Sequence, residues 1–186
     1  MGFLIDMWMP ILASAAAVWV LSAIMHMVLQ FHKSDYVGLP GESEIVETLR
    51  SQNLAVGDYM FPHAEKMSDL AEPEMIEKFT RGPVGIISIL PSGPPSIGKQ
   101  LVQQFLYNCL ISIFVAYFVS FVDPKTAIVA FRLTGTVAVL GYAVTSIPNS
   151  IWRGLAWKTT AKFMLDGVLY GLVTGAVFAG LSSWSG

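Results

Sequence analysis

Residues 167–179 read GVLYGLVTGAVFA, in which Gly167, Gly171, Gly175 and Ala179 recur at every fourth position. On a helix this spacing stacks the four small residues on one face. In a bilayer, small residues let two helix backbones approach closely, and association there depends on packing rather than on the hydrophobic effect. We therefore predict a membrane-spanning segment whose small-residue face packs against another helix.

Three further segments are long and apolar enough to cross a bilayer, whose hydrocarbon core takes about 20 helical residues to span. The four predicted spans are 8–29, 101–122, 126–147 and 161–182, with Pro148 ending the third. The chain is only 13% charged, whereas soluble domains average about 25%. The predicted fold is a membrane all-α bundle of four transmembrane helices with a small extramembrane insert.

The insert separates the first span from the other three. The predicted parts are a transmembrane helix at 1–31, a polar insert at 32–100 and a three-helix region at 101–186. Within the insert we predict helices at 42–50 and 73–81 and a strand pair at 84–90 and 59–61. Such an α+β insert is too small to form a large hydrophobic core, so we expect it to pack against the membrane surface or a partner.

Basic residues predict the orientation of the chain. Nine of the eleven Lys and Arg residues lie in the insert or between the third and fourth spans, and two lie on the opposite side. The positive-inside rule then predicts a cytoplasmic insert with both termini outside. The net charge of −2 gives no argument for nucleic-acid binding.

The segment 148–162 combines Trp152 and Trp157 with Arg153 and Lys158. Tryptophan beside basic residues is typical of a membrane–water boundary. We predict an interfacial anchor here, in contact with bound membrane lipids.

Histidines supply two candidate sites. His26 lies near the inner end of the first span, where an ionisable residue is a functional candidate. Its imidazole could ligate a haem or a chlorophyll-type pigment, although a hydrogen bond to a neighbouring helix or to water is the simpler interpretation. His32 and His63, with Asp35 and Glu65, would form a metal site if the insert folded His63 back to the membrane boundary; otherwise residues 32–35 are a polar exit from the span.

Asp166 and Arg132 are charged residues inside spans, but they are predicted at different depths. We therefore expect Arg132 to extend outward or to meet Asp123, and we place Lys162 one helical turn before Asp166. A proton or ion relay through Asp166 is a further hypothesis.

Catalytic signatures are weak. Residues 93–100, GPPSIGKQ, match the spacing of a phosphate-binding loop, but Pro94 and Pro95 lack the backbone N–H groups that would hold phosphate. Gln100 also stands where a hydroxyl should ligate magnesium, so nucleotide binding is not expected. A cysteine nucleophile requires an adjacent base, and the sequence identifies none for Cys109. We predict that the chain is not an enzyme.

Three stretches carry a family resemblance: residues 32–40, HKSDYVGLP; 57–62, GDYMFP; and 82–94, which begin GPV and end PSGP. They resemble a family of small bacterial membrane proteins of unassigned function. The resemblance implies a bacterial inner-membrane location and a shared architecture, but it implies no activity and no site residues.

The glycine face and the missing catalytic set together favour an accessory subunit of a larger membrane complex, respiratory or photosynthetic, with other integral membrane subunits as partners. The alternatives are a haem- or pigment-binding protein that uses His26, and a small transporter or membrane enzyme that uses Asp166 or the His32 and His63 region.

Overall fold

A computed structural model describes residues 2–181 of the chain. Most of these residues are helical, and four helical segments are long and apolar enough to cross a membrane: Trp8–Val28, Gly98–Val122, Ala127–Arg153 and Trp157–Leu181. The chain is therefore a mostly-α, multi-pass membrane protein, and residues 2–181 contain one small sheet. The last residue of the predicted fourth span, Ser182, lies outside the described range.

The α-helices, in chain order, are α1 (Gly2–Asp6), α2 (Trp8–Ala23), α3 (Glu42–Ser51), α4 (Pro73–Arg81), α5 (Gly98–Val122), α6 (Ala127–Tyr142), α7 (Ile147–Arg153) and α8 (Trp157–Leu181). The strands are β1 (Gly57–Phe61) and β2 (Gly85–Ile89). A π-helical turn, Ile24–Val28, extends α2, and short 3₁₀ turns occupy Met67–Ala71 and Val144–Ser146.

The chain forms two compact units. The first, which we call the bundle, contains residues up to Tyr36 and from Ser96 onward, and the second, which we call the insert unit, contains Val37–Pro95. The bundle therefore takes in the first residues that follow the first span, including His32 and Asp35.

The insert unit has the predicted α+β composition. Its two helices and its strand pair are confirmed, and β1 and β2 are antiparallel, with Gly57 opposite Ile89 and Phe61 opposite Gly85. Every residue from 37 to 95 is described, and none of these side chains is fully buried. This unit therefore has no fully buried hydrophobic core.

The bundle core lies where α2, α5, α6 and α8 meet. Val18, Val115 and Phe178 are fully buried there. The hydroxyls of Ser14 and Ser112 lie 2.9 Å apart in this core and join α2 to α5. Hydroxyl pairs of this kind link helices in membranes because no water is present to compete.

The glycine face of α8 packs against α6 of the same chain. A Cβ built on Gly167 would lie 2.5 Å from both the Cα and the N of Ala143. One at Gly171 would meet Val139, and one at Gly175 would meet Phe131. The small-residue face is therefore occupied from Gly167 to Gly175 inside the chain, whereas Ala179 is partly buried further along.

The predicted end of the third span at Pro148 is wrong. A 3₁₀ turn interrupts the helix at Val144–Ser146, and Pro148 then lies in the first turn of α7, which continues to Arg153. Proline is tolerated there because first-turn N–H groups have no partner within the helix. Trp152 and Trp157 flank the break before α8 and are both exposed, while the anchoring role of this segment stays a prediction.

Candidate functional site

The centre of the candidate site is His32, whose ring lies between two carboxylates. Its Nδ1 is 2.5 Å from Oδ2 of Asp35, and its Nε2 is 2.7 Å from Oδ2 of Asp166. Asp35 and His32 are three residues apart, whereas Asp166 comes from the fourth span. These contacts bring the exit of the first span and the start of the fourth to one end of the bundle.

At the end of the first span, the backbone turns so that His32 packs against the preceding helix. The α-helix widens into the π-turn Ile24–Val28, and Gln30 then adopts a left-handed conformation with φ of 47°. π-turns and left-handed non-glycine residues are both uncommon, and both concentrate at functional sites. As a result His32 stacks on His26, with ring centroids 4.2 Å apart, and on Phe163 of α8.

Lys162, on α8, holds the segment that follows the first span through three hydrogen bonds. Its ammonium donates to Oδ1 of Asp35 at 2.5 Å, to the carbonyl of Phe31 at 2.9 Å and to Oγ of Ser34 at 2.9 Å. Burial by itself would raise the pKa of Asp35, but the hydrogen bonds from Lys162 and His32 outweigh it and hold that pKa below its ordinary value. Asp35 is therefore a carboxylate, available to orient His32.

Asp166 is the most enclosed member of the cluster. Its side chain is 2% exposed, and its Oδ2 lies within reach of two imidazoles, since Nε2 of His26 is 3.5 Å away. Its Oδ1 is buried and has no hydrogen-bond partner among the described residues. A buried carboxylate oxygen without a partner is costly, so it indicates a place for a ligand.

The two carboxylate contacts of His32 need one more positive charge than a neutral imidazole supplies. A neutral imidazole carries one N–H, yet both ring nitrogens of His32 lie at hydrogen-bonding distance from carboxylate oxygens. In the tautomer that carries its proton on Nδ1, one contact is satisfied by donation to Asp35. The other needs either an additional proton or a metal ion between Nε2 and Asp166.

The ligand atoms available to a metal are one from each of His26, His32 and Asp166, and all lie within 4.8 Å of one another. Ligand atoms about 2.0–2.1 Å from a tetrahedral ion are about 3.3 Å from each other. The 3.5 Å contact of His26 with Asp166 matches this spacing in distance, and the 2.7 Å contact of His32 would open by about half an ångström. Because the two imidazole rings are stacked with an interplanar angle of 20°, one ring would also have to rotate before both nitrogens could face a shared ion. Asp35 would then be the outer carboxylate that fixes the ring of a metal-bound histidine.

A cavity of about 610 Å³ opens beside the cluster, within the bundle. His26 and Asp166 form part of its wall, and Tyr107, Tyr142 and Tyr170 form another part. Small-molecule sites usually enclose about 300–1,000 Å³. The site therefore combines two histidines and a buried aspartate with space for a ligand next to them.

The structure brings together some of the predicted site residues and separates others. His26 and His32, predicted for different sites, share Asp166. His63 is an exposed residue of the insert unit, so its predicted part in a metal site stays a prediction. Asp123 is paired with Lys125, and Arg132 is exposed.

Sequence reasoning missed the joint role of Asp35 and Lys162. Lys162 was placed beside Asp166 because the two are four residues apart, but its ammonium contacts the chain after the first span instead. The available signal was the polar stretch at 32–35, which is unusually rich in charge for a short exit from a span and needs partners.

No protein-family model, curated protein or solved structure matches the chain. The class defined by fold and site is a multi-pass membrane protein with a histidine–carboxylate cluster around a buried aspartate. The resemblance to small bacterial membrane proteins, and the inner-membrane location that it implies, remain predictions.

Proposed function

We propose that this membrane protein binds a divalent transition-metal ion through His26, His32 and Asp166. The observation that carries the proposal is the buried Asp166 carboxylate, whose Oδ2 lies 2.7 Å from Nε2 of His32 and 3.5 Å from Nε2 of His26. Charged groups in a membrane span are expensive to keep, and they usually mark function.

The donor set supports a transition metal rather than magnesium or calcium. Two imidazole nitrogens with one carboxylate oxygen are typical of catalytic zinc sites and of non-haem iron sites, whereas magnesium and calcium prefer oxygen ligands. Asp35 supplies the outer hydrogen bond that metal-bound histidines almost always make. Because Nε2 of His26 lies 3.5 Å from Oδ2 of Asp166, a small ion suits this histidine better than a haem or pigment ring.

Three protein ligands would leave at least one coordination position open. Since His26 and Asp166 form part of the cavity wall, we place that open position at the cavity. A metal there would act as a Lewis acid towards a ligand oxygen or would activate a bound water. The chain's own contribution is to fix the donors: Phe163 and His26 stack on either side of the cluster's central histidine, and Lys162 holds the turn that carries it.

Metal stoichiometry tests the proposal. Purified protein in detergent would be loaded with Zn²⁺, freed of excess metal and measured by inductively coupled plasma mass spectrometry. We expect about one ion per chain, lost in His32→Ala and Asp166→Asn and weakened in His26→Ala. His63→Ala is the matched control, because it removes an exposed imidazole from the insert unit and should leave the stoichiometry unchanged.

The opposite pattern would contradict the proposal. Loss of the ion in His63→Ala with retention in His32→Ala would favour the site predicted in the insert. Wild-type protein that holds no Zn²⁺ would mean that a proton, not a metal, occupies the space between His32 and Asp166.

The accessory-subunit role is a second proposal, and the insert unit favours it. That unit has no fully buried side chain and exposes large apolar residues, among them Val37, Met67 and Leu90. Purification from the native membrane in mild detergent, followed by mass spectrometry, would show stoichiometric partners if the role is correct and a lone chain if it is not. Substitution of Gly171 or Gly175 cannot serve as that test, because both glycines pack inside this chain.

A further inference from the structure

Two buried polar atoms lack a hydrogen-bond partner among residues 2–181, and both belong to residues in the wall of the same cavity. They are Oδ1 of Asp166 and the hydroxyl of Tyr170, one helical turn apart on α8. Buried polar atoms in proteins are almost always paired, so two of them beside one cavity indicate a polar group of a ligand.

We propose that the cavity binds an alcohol-bearing amphiphile, whose hydroxyl donates to Oδ1 of Asp166 and accepts from the hydroxyl of Tyr170. A carboxylate oxygen only accepts hydrogen bonds, whereas a tyrosine hydroxyl can donate one. A hydroxyl both donates and accepts, as these two atoms together require, whereas an ether or a ketone cannot donate and an ammonium cannot accept.

The remaining wall suits an apolar body. Met27, Leu101, Leu155 and Phe163 line the cavity, and the rings of Tyr142 and Tyr170 meet edge to face with centroids 5.7 Å apart. The segments that form the cavity belong to membrane-spanning helices or to their ends, so a ligand dissolved in the bilayer is the one that the bundle meets.

Tyr107 provides an internal comparison. It lines the same cavity, but its hydroxyl already donates to the carbonyl of Gly141 at 2.9 Å. It should therefore contribute its ring to the wall and contribute no hydrogen bond to the ligand.

This inference rests on the proposed function only in that both use Asp166. The metal donors are the two histidines with Asp166, whereas the alcohol site is formed by Tyr170 with Asp166. Tyr170 is not a member of the metal cluster, so its variant separates the two ideas.

The experiment compares 1-dodecanol with dodecyl methyl ether, a probe of similar apolar length that cannot donate a hydrogen bond. Purified protein in detergent would be titrated with each probe at matched mole fractions, and bound probe would be counted by native mass spectrometry. We expect wild type to prefer the alcohol by about tenfold, the size typical of a hydrogen bond to a charged group. Tyr170→Phe should lower alcohol binding about fivefold, because the bond that it removes joins two neutral groups, and should retain Zn²⁺, while Tyr107→Phe should bind the alcohol as wild type does.

Equal binding of the two probes by wild type, or unchanged alcohol binding in Tyr170→Phe, would overturn the inference. Discrimination between the probes in a wild type that binds no Zn²⁺ would overturn the metal proposal and leave the alcohol site standing.

Discussion

Gly167→Ala should loosen the bundle, because the added methyl group has nowhere to go. A Cβ at this position would lie 2.5 Å from the Cα and N of Ala143 and 2.7 Å from the carbonyl carbon of Tyr142. Carbon atoms in contact normally sit about 3.5–4.0 Å apart, so α6 and α8 would have to separate by about 1 Å. All three obstructing atoms belong to the backbone, so no side-chain rotation relieves the clash.

The cost follows from overpacking, which typically destabilises by about 1–3 kcal/mol. For a chain of this size, each kcal/mol lowers the melting temperature by about 2–4 °C, so the expected loss is about 2–12 °C. Thermal unfolding in detergent, followed by intrinsic fluorescence, would measure it. Gly180→Ala is the matched control: it makes the same change on the same helix, where nothing lies within 4 Å of the new Cβ.

If Gly167→Ala melted no lower than Gly180→Ala, the close packing of α8 against α6 would be wrong. The glycine face would then be free for a partner helix, as the sequence alone allowed.

Three further predictions concern the polar cluster. Lys162→Met should destabilise the protein by about 3 kcal/mol, because it leaves the buried Asp35 carboxylate without its cation; Lys158→Met, on the exposed side of the same helix, should change stability little in the same unfolding assay. Asp35→Asn should weaken Zn²⁺ binding about 10–100-fold, as measured by competition with a chelator, since it removes the group that orients His32. The depressed pKa of Asp35 stabilises the folded chain at any pH above the group's ordinary pKa of 3.8, and this stabilisation is lost as the pH falls below that value. In Asp35→Asn, the stability on the acid limb should therefore fall less steeply with pH than in wild type. An acid limb that is the same in wild type and Asp35→Asn would rule out this linkage.

The spans were predictable because a bilayer sets a minimum length and excludes charge. The third apolar helical segment nevertheless continues past the predicted end at Pro148 to Arg153, because this proline lies in the first turn of α7. Proline removes a donor in either case, and only the backbone around it decides whether the helix ends or begins there.

The partner of the glycine face could have been found from the sequence. Ala130, Thr134 and Ala138 recur every fourth residue on α6, Gly135 follows beside them, and all four are buried in the structure. Two small-residue faces in one chain favour an internal pair over a contact with a separate subunit.

The candidate site was less accessible to sequence reasoning. His26 and His32 are six residues apart, a spacing that places neither beside the other on an α-helix. They meet because of the π-turn and the left-handed Gln30, and hydrophobic periodicity reports neither feature. The third donor, Asp166, lies 134 residues from His32, so only the assembled bundle could bring it there.

The measurement that tests the metal centre most directly is zinc-edge X-ray absorption on the loaded protein. Zinc held by His26, His32 and Asp166 should show a shell of nitrogen and oxygen atoms at about 2.0–2.1 Å, with the outer scattering of two imidazole rings and no sulfur. A sulfur shell near 2.3 Å, which would assign the metal to Cys109, or a spectrum without imidazole scattering, would contradict it.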